Sequence, residues 1–247
     1  MANRGIVYKT NNFYRWLEKV NLIKKTPNII KDYQKDYPHL RILEENYEVI
    51  RKECEQLLSK KDQITDVKNL MGNQTAGGIH VVKWKSFMFK SGVMVKENCK
   101  HCPETAALIA KIPKVRTAFF SILDPNQYIT PHEGYYDGYM RYHLGVIIPD
   151  NNANNECWIR VTNGVSDKKK MAELGDTYYW KNGEGVIFND NYTHDASNSS
   201  DEIRVILWLD IERKLPLLFS WLNTIMLNVA YSTKGVKQVA KNAVVKF

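Results

Sequence analysis

His132 ends the segment Tyr128-Ile129-Thr130-Pro131, and His194 follows the run GVIFN (185–189) after a short turn. Each imidazole therefore stands at the end of an extended stretch, facing loops. Two imidazoles brought together from distant strands suit a mid-row divalent metal such as iron(II). A lone histidine in a β-rich chain is more often a hydrogen-bonded core or surface residue; the signal is the set. In IRVILWLDI (203–211), strand alternation puts Arg204, Ile206, Trp208 and Asp210 on one face and Ile203, Val205, Leu207 and Leu209 on the other. Both faces are largely apolar, so Arg204 begins on a buried or cleft-lining face, where a guanidinium needs an anion and a carboxylate fits it bidentately. The same counting pairs Arg141 with His143 in MRYHLGVII (140–148), and Trp158 with Arg160 in CWIRV (157–161). Ion pairs with Asp or Glu would explain each arginine singly. Three strands that each offer a donor toward the histidines fit a small, doubly anionic ligand.

The elements that must position these residues follow from periodicity. Residues 1 to about 75 read as helical and polar, with Leu43, Tyr47, Ile50, Cys54 and Leu57 on one face that packs against a sheet. Pro103-Glu104 opens a short helix through Leu108 and Ile109, which Pro113 stops. From about 115 to 211 the chain turns to short β-branched and aromatic runs separated by Gly, Pro, Asn and Asp, the pattern of a sandwich or barrel. Lys168, Lys169 and Lys170, beside Asp167, read as a solvated loop. Between Lys214 and Lys234 lie nineteen uncharged residues, followed by a basic tail. Pro216, Ser220, Asn223, Thr224 and Asn228 make that segment a poor hydrocarbon span, so a docking or interfacial helix fits better: packed on the chain's own core or a second copy, or seated on an anionic membrane. The expected division is a helical region 1–75, a β core 76–214 and a helical extension 215–247 with its basic tail.

Taken in order, CPETAALIAKIP (102–113), FSILDPNQYITPHEG (120–134), MRYHLGVIIP (140–149), CWIRV, WKNGEGVIFND (180–190), NYTHDASN (191–198) and IRVILWLDI resemble the aspartyl/asparaginyl β-hydroxylases. The resemblance covers roughly residues 38 to 215 and rests on the ordered set rather than on any one motif. It implies a mainly β chain with a double-stranded β-helix (jelly roll, cupin-like), in which His132 and His194 bind iron(II) and Arg204 grips the distal carboxylate of 2-oxoglutarate, with dioxygen as the other cosubstrate. It further implies that Ser121 and His143 support cosubstrate binding, that Arg141 lines the site, and that Trp158 and Arg160 stand on a strand beside the pocket. Most iron oxygenases of this fold read HxD or HxE; here the triplet is His132-Glu133-Gly134, and Glu133 would point to the opposite face. The resembled family lacks that carboxylate too, and a water would fill the position. Asn189-Asp190-Asn191 departs from the family's Asp-Asp-Ser tendency. The function implied is hydroxylation of an unactivated C–H bond, at the β-carbon of Asp or Asn in a peptide or protein, with a lipid acyl chain at a membrane surface as the alternative substrate.

Composition sets outer bounds. Hydrophobic residues make up 44% and charged residues 25%, which are globular proportions. The net charge of +8 favours anionic partners, but no helix-turn-helix, finger spacing or aromatic-basic strand pair accompanies it, so no specific nucleic acid is expected. Cys54, Cys99, Cys102 and Cys157 are too few and too spread for a disulfide framework, and MANRGIVYKT has no signal-peptide apolar core, so an intracellular, cytoplasmic setting with possible membrane association is the expectation. Cys99 and Cys102 have CxxC spacing without a second pair, and read as ordinary thiols before a helix. A cupin-like protein that binds metal without oxidation remains open, although Arg204, His143 and Ser121 would then have no reason to accompany the histidines.

Overall fold

The computed structural model describes residues 4–71, 81–165 and 167–247. Its helices are α1 (Arg4–Lys19), α2 (Arg41–Glu45), α3 (Tyr47–Leu58), α4 (Val67–Met71), α5 (Lys96–Cys99), α6 (Pro103–Lys111), α7 (Lys168–Leu174), α8 (Leu217–Tyr231) and α9 (Lys234–Asn242). The strands are β1 (Ile29–Ile30), β2 (Trp84–Ser91), β3 (Val93–Met94), β4 (Val115–Leu123), β5 (Gln127–His132), β6 (Tyr139–Ile147), β7 (Cys157–Thr162), β8 (Asp176–Tyr179), β9 (Gly185–Phe188), β10 (Thr193–Asn198) and β11 (Arg204–Glu212). They form two antiparallel sheets, ordered β1-β9-β6-β11-β4-β2-β3 and β5-β10-β7-β8. From β4 to β11 the chain steps back and forth between the sheets, with β7 and β8 as the one consecutive pair within a sheet. That winding is the double-stranded β-helix expected from the sequence.

The two faces of the large sheet bury different things. Val205, Leu207 and Leu209 of β11 join a cluster with Leu43, Ile50, Leu57 and Ile109 under the helices. Ile206 points the other way, between the sheets, among Ile129, Ile159, Trp180 and Phe188. Burying each such aliphatic side chain stabilises the fold by roughly 1.5–3 kcal/mol, so both the helical layer and the small sheet contribute to holding the large sheet. The Leu43-to-Leu57 face packs as read, with a break at Asn46 between α2 and α3, where the Asn46 amide donates to the Ile42 carbonyl at 2.8 Å. α6 starts at Pro103, and its free amides are capped from outside: the Glu53 carboxylate accepts from Glu104 N, Thr105 N and Thr105 Oγ1 at 2.6–2.9 Å.

Three segments differ from the sequence reading. Ile29–Ile30 is a strand on the edge of β9, opposite Phe188 and Ile187, inside a region read as helical. Two β-branched residues after Pro27 are better seated on an open sheet edge than in a helix. Lys168 to Lys170 open helix α7 rather than a loop, because Asp167 accepts from Lys170 N as its N-cap. The basic tail is largely the helix α9, and its end is anchored: Asn98, fully buried, donates to Met88 O and Ala243 O and accepts from Val245 N. Among the described residues no helix is long and apolar enough to cross a membrane.

Asn98 holds β2 and the C-terminal end together through one amide. Asn98→Ala should therefore lower unfolding stability by about 2–4 kcal/mol. Urea denaturation measures the loss, and protease cutting near residue 243 should rise with it.

Candidate active site

The pairing of β5 with β10 sets His132 directly opposite His194, with a register break just after His194. Their ring centroids lie 4.2 Å apart. Each Nδ1 sits 2.8 Å from the carbonyl oxygen two residues earlier, Thr130 for His132 and Tyr192 for His194. A carbonyl can only accept, so each Nδ1 carries the hydrogen and each Nε2 keeps its lone pair. Burial, then the neighbouring positive charge, pushes the His194 imidazole well below its ordinary pKa; burial also lowers that of His132. Both rings are thus neutral at pH 7, the form that ligates a metal.

A carboxylate stands beside the pair, that of Asp190, although among the described residues no three His, Cys, Asp or Glu side chains are disposed to hold one metal ion. Asp190 Oδ1 lies 3.4 Å from His194 Nε2, two acceptors facing one another, which is an arrangement that a cation relieves. Asp190 also explains Gly134. A Cβ at residue 134 would run into the Asp190 carboxyl and approach its carbonyl oxygen to 2.8 Å, so the volume a third-ligand side chain would use in an HxD motif is taken by Asp190. Arg141 NH1 holds the Asp190 carboxylate by a short hydrogen bond, and Tyr139 OH donates to its other oxygen at 3.2 Å. Glu133 faces away, as expected, accepting from Thr193 Oγ1 at 3.0 Å.

Across the cavity lies Arg204, 1% exposed. Its NH1 reaches only 3.5 Å from Ser121 O and Oγ, its Nε has no partner, and its guanidinium carbon lies 4.7 Å from the Trp180 ring centre. Among the described residues no acid pairs with it. Burial brings its pKa down to about 10, so it remains a cation at neutral pH. A buried unpaired cation is strongly destabilising, and an anion that enters to pair with it relieves that strain. Ser121 Oγ is held by Trp84 Nε1 at 2.9 Å. His143 and Trp180 Nε1 are buried with no hydrogen-bond partner, and burial keeps His143 neutral.

Ser121, His132, His143, His194 and Arg204 line one cavity together with Trp84, Ile129, Ile159, Trp180, Phe188, Ala196, Ile206 and Trp208. Its volume is about 20 Å³, room for about one water, so a diacid enters only when lining side chains such as the tryptophans shift. A larger open groove of about 590 Å³, lined by Lys24, Lys25, Thr162 and Asp176 among others, contains no imidazole. Three sequence candidates stand outside the cavity lining. Arg141 lies behind it, bonded to Asp190 and Asp210 and 3.6 Å over the Trp208 ring. Trp158 and Arg160 do not line it: Ile159 between them does, and Arg160 is paired with Asp195 at 2.6 Å on the other face of the small sheet. The ion-pair explanation is thus the one that fits Arg160. The sequence pattern does not single out Trp84 or Asp190: Trp84 precedes the strand-like runs that begin at about residue 115, and Asp190 stands out only through its flanking residues.

A pair of neutral imidazoles opposite a buried, unpartnered guanidinium fits a divalent metal and a carboxylate ligand, and the chain is an oxygenase of the double-stranded β-helix class. The sequence model of the aspartyl/asparaginyl beta-hydroxylase family matches residues 44–214. The chain therefore belongs to the aspartyl/asparaginyl β-hydroxylase family. It is 32% identical over 236 residues to an ornithine lipid ester-linked acyl 2-hydroxylase of Rhizobium tropici, covering 92% of this chain and 76% of that one. It is 25% identical over 178 residues to human aspartyl/asparaginyl beta-hydroxylase, and 28% over 196 residues to mouse aspartate beta-hydroxylase domain-containing protein 2. Of those two it spans only 21% and 50% of the length. A Pseudomonas putida prolyl-4-hydroxylase structure is similar with a TM-score of 0.42 at 10% identity, over 68% of this chain and 88% of that one.

Two outcomes follow. Gly134→Ala should destabilise the chain by about 1–3 kcal/mol, read by urea denaturation, because the added methyl displaces Asp190. His132, His143 and His194 all have pKa values below that of the unfolded chain, which therefore binds protons the folded chain refuses. Metal-free stability should fall as pH drops below about 6.5, by up to about 4 kcal/mol per pH unit from the three together. His143→Asn should cut that slope by about a third, and an unchanged slope would mean that His143 is already protonated in the folded chain.

Proposed function

We propose that the chain is an iron(II)- and 2-oxoglutarate-dependent hydroxylase whose substrate is an acyl chain of a membrane lipid. The observation that carries the cosubstrate is Arg204: a buried cation without an acid, in the same cavity as two neutral imidazoles. His132 Nε2 and His194 Nε2 would hold the metal, and Arg204, with Ser121 Oγ fixed by Trp84, would take the far carboxylate of 2-oxoglutarate. His143, with both ring nitrogens unpartnered, offers a donor to the bound diacid. When bound, iron and 2-oxoglutarate activate dioxygen for insertion of one oxygen atom into a C–H bond, releasing succinate and carbon dioxide. The protein's part is placement and exclusion of water by Ile129, Ile159, Phe188 and Ile206.

The lipid is favoured over a peptide because similarity to the Rhizobium acyl hydroxylase runs through nearly the whole chain, including the helices outside the family match. Peripheral membrane contact through residues 215–247 goes with this reading. Hydroxylation of Asp or Asn at the β-carbon is the second reading, supported by the family match and the human relative.

Substrate-free turnover of 2-oxoglutarate to succinate, with iron and ascorbate, is the first test. Arg204→Met should raise the 2-oxoglutarate KM by roughly 30- to 1000-fold, equivalent to about 2–4 kcal/mol, with iron affinity little changed. His194→Ala should weaken iron(II) binding by more than about 100-fold in a competition titration. Mass spectrometry of an acyl-lipid and Asp/Asn-peptide panel then separates the substrates, and oxygen incorporated only into peptide would overturn the lipid reading.

A further inference from the structure

We infer that α1 and α8 together form one docking face for the surface of an anionic phospholipid bilayer. α8 has its polarity reversed for a helix on a folded core. It carries no charged residue, and turns Leu217, Leu218, Trp221, Leu222, Ile225 and Val229 outward at 40–89% exposure. Its Asn223 is fully buried, accepting from Tyr14 OH at 3.0 Å and Tyr136 OH at 2.8 Å and donating to Gly138 O at 2.7 Å. Asparagine inside and leucine outside is the opposite of ordinary burial, and a contiguous outer apolar patch of this kind marks an interaction surface. α1 extends it. Phe13 and Trp16 are half exposed with rings stacked 6.0 Å apart, and Phe13 meets Phe219 of α8 edge-on at 6.4 Å. The aromatics of the two helices therefore belong to one patch.

The surrounding charge selects the occupant. From Lys214 to Phe247 there are five lysines and no acid. Lys234, Lys237, Lys241 and Lys246 are exposed, while Glu18, the acid of α1, is turned onto Arg213. Exposed tryptophan and leucine followed directly in the chain by exposed lysines is the composition of an interfacial segment on anionic lipid. A second copy of the chain would instead bring like charge against like charge. The face is also tied to the active site. Asn11 of α1 bonds Tyr135 O and Asp137 N in the loop after His132, and Arg15 bonds Asn191 between Asp190 and His194, each at 3.0 Å. A bilayer on this face is therefore separated by one helix from the loops that follow His132 and precede His194. This deepens the lipid-acyl reading and rests on it for its purpose, while the binding measurement needs neither iron nor cosubstrate.

The test is flotation of the full chain with phosphatidylcholine vesicles, with and without about one third phosphatidylglycerol. The full chain should float with the anionic vesicles, and release as salt is raised. The variant Trp16→Ser with Trp221→Ser should bind roughly tenfold more weakly, with unchanged circular dichroism and unchanged substrate-free succinate formation. Lys234→Glu with Lys237→Glu and Lys241→Glu should abolish the preference for anionic lipid. A chain that stays in the soluble fraction with both vesicles, or a tryptophan variant that binds as the parent does, overturns the proposal. So does a dimer in light scattering that the tryptophan variant converts to monomer, because the face is then an interface between copies. Failure of flotation with intact succinate formation sinks the docking face and leaves the oxygenase; the reverse result does the opposite.

Discussion

The site depends on one constraint, the register of β5 against β10. Because side chains alternate along a strand, a slip of one residue would turn His132 or His194 out of the cavity and leave no metal pair. That register is held from both sides. β10 is paired with β7 through six consecutive residues, from Thr193 opposite Thr162 to Asn198 opposite Cys157. Its outward Asp195 is gripped by Arg160 and by Tyr128 OH, the latter from β5 itself at 2.6 Å. Arg160, which contributes nothing to the cavity lining, thereby fixes the strand that does. The Nδ1 bonds to Thr130 and Tyr192 then set the ring planes, so the backbone rather than other side chains orients both imidazoles.

Among the described residues, pairing sets Arg204 apart from the other arginines of the fold. Arg116 is paired with Glu212, Arg141 with Asp190 and Asp210, Arg160 with Asp195 and Arg213 with Glu18. Arg204, as buried as any of them, faces a serine and a tryptophan ring instead. Leaving one buried guanidinium on the cavity wall without an acid, while those four are paired, is costly unless an anion meets it, which is the cost the proposed cosubstrate would relieve. Asp190 shows the complementary economy. Its carboxylate is fastened by Arg141 and Tyr139 beside His194 Nε2, in the space that the missing side chain of Gly134 leaves for it.

Strand alternation was legible because β11 obeys it without interruption: Arg204 and Ile206 reached the cavity and Val205 and Leu207 the helical side, as counted from the sequence. The face of α3 was legible for the same reason at helical period. What periodicity cannot carry is the third dimension. It grouped Trp158 with Arg160 correctly on one face, but which face of β7 looks inward is decided by Ile159, and a run of alternating large residues does not say which sheet it joins. Ile29–Ile30 became a strand because β9 offered an open edge, a partner about 160 residues away in sequence. The relation between Gly134 and Asp190 is likewise a contact between loops, and no spacing rule within either loop encodes it.

The reversed polarity of α8 makes sense only if the helix serves two surfaces at once. Toward the core it must hold the loop at Gly138, and an asparagine does this with three hydrogen bonds that leucine could not make. With its inner face partly polar, the helix takes its apolar anchorage from buried Leu227, with Phe219, Met226 and Tyr231 packed beside it. The outward leucines and Trp221 add nothing to folding in water and expose apolar area that a purely structural helix would replace with lysine or glutamate. The inner asparagine and the outer stripe belong to one helix, so the exposed stripe and the loop that leaves His132 are held on opposite sides of the same element.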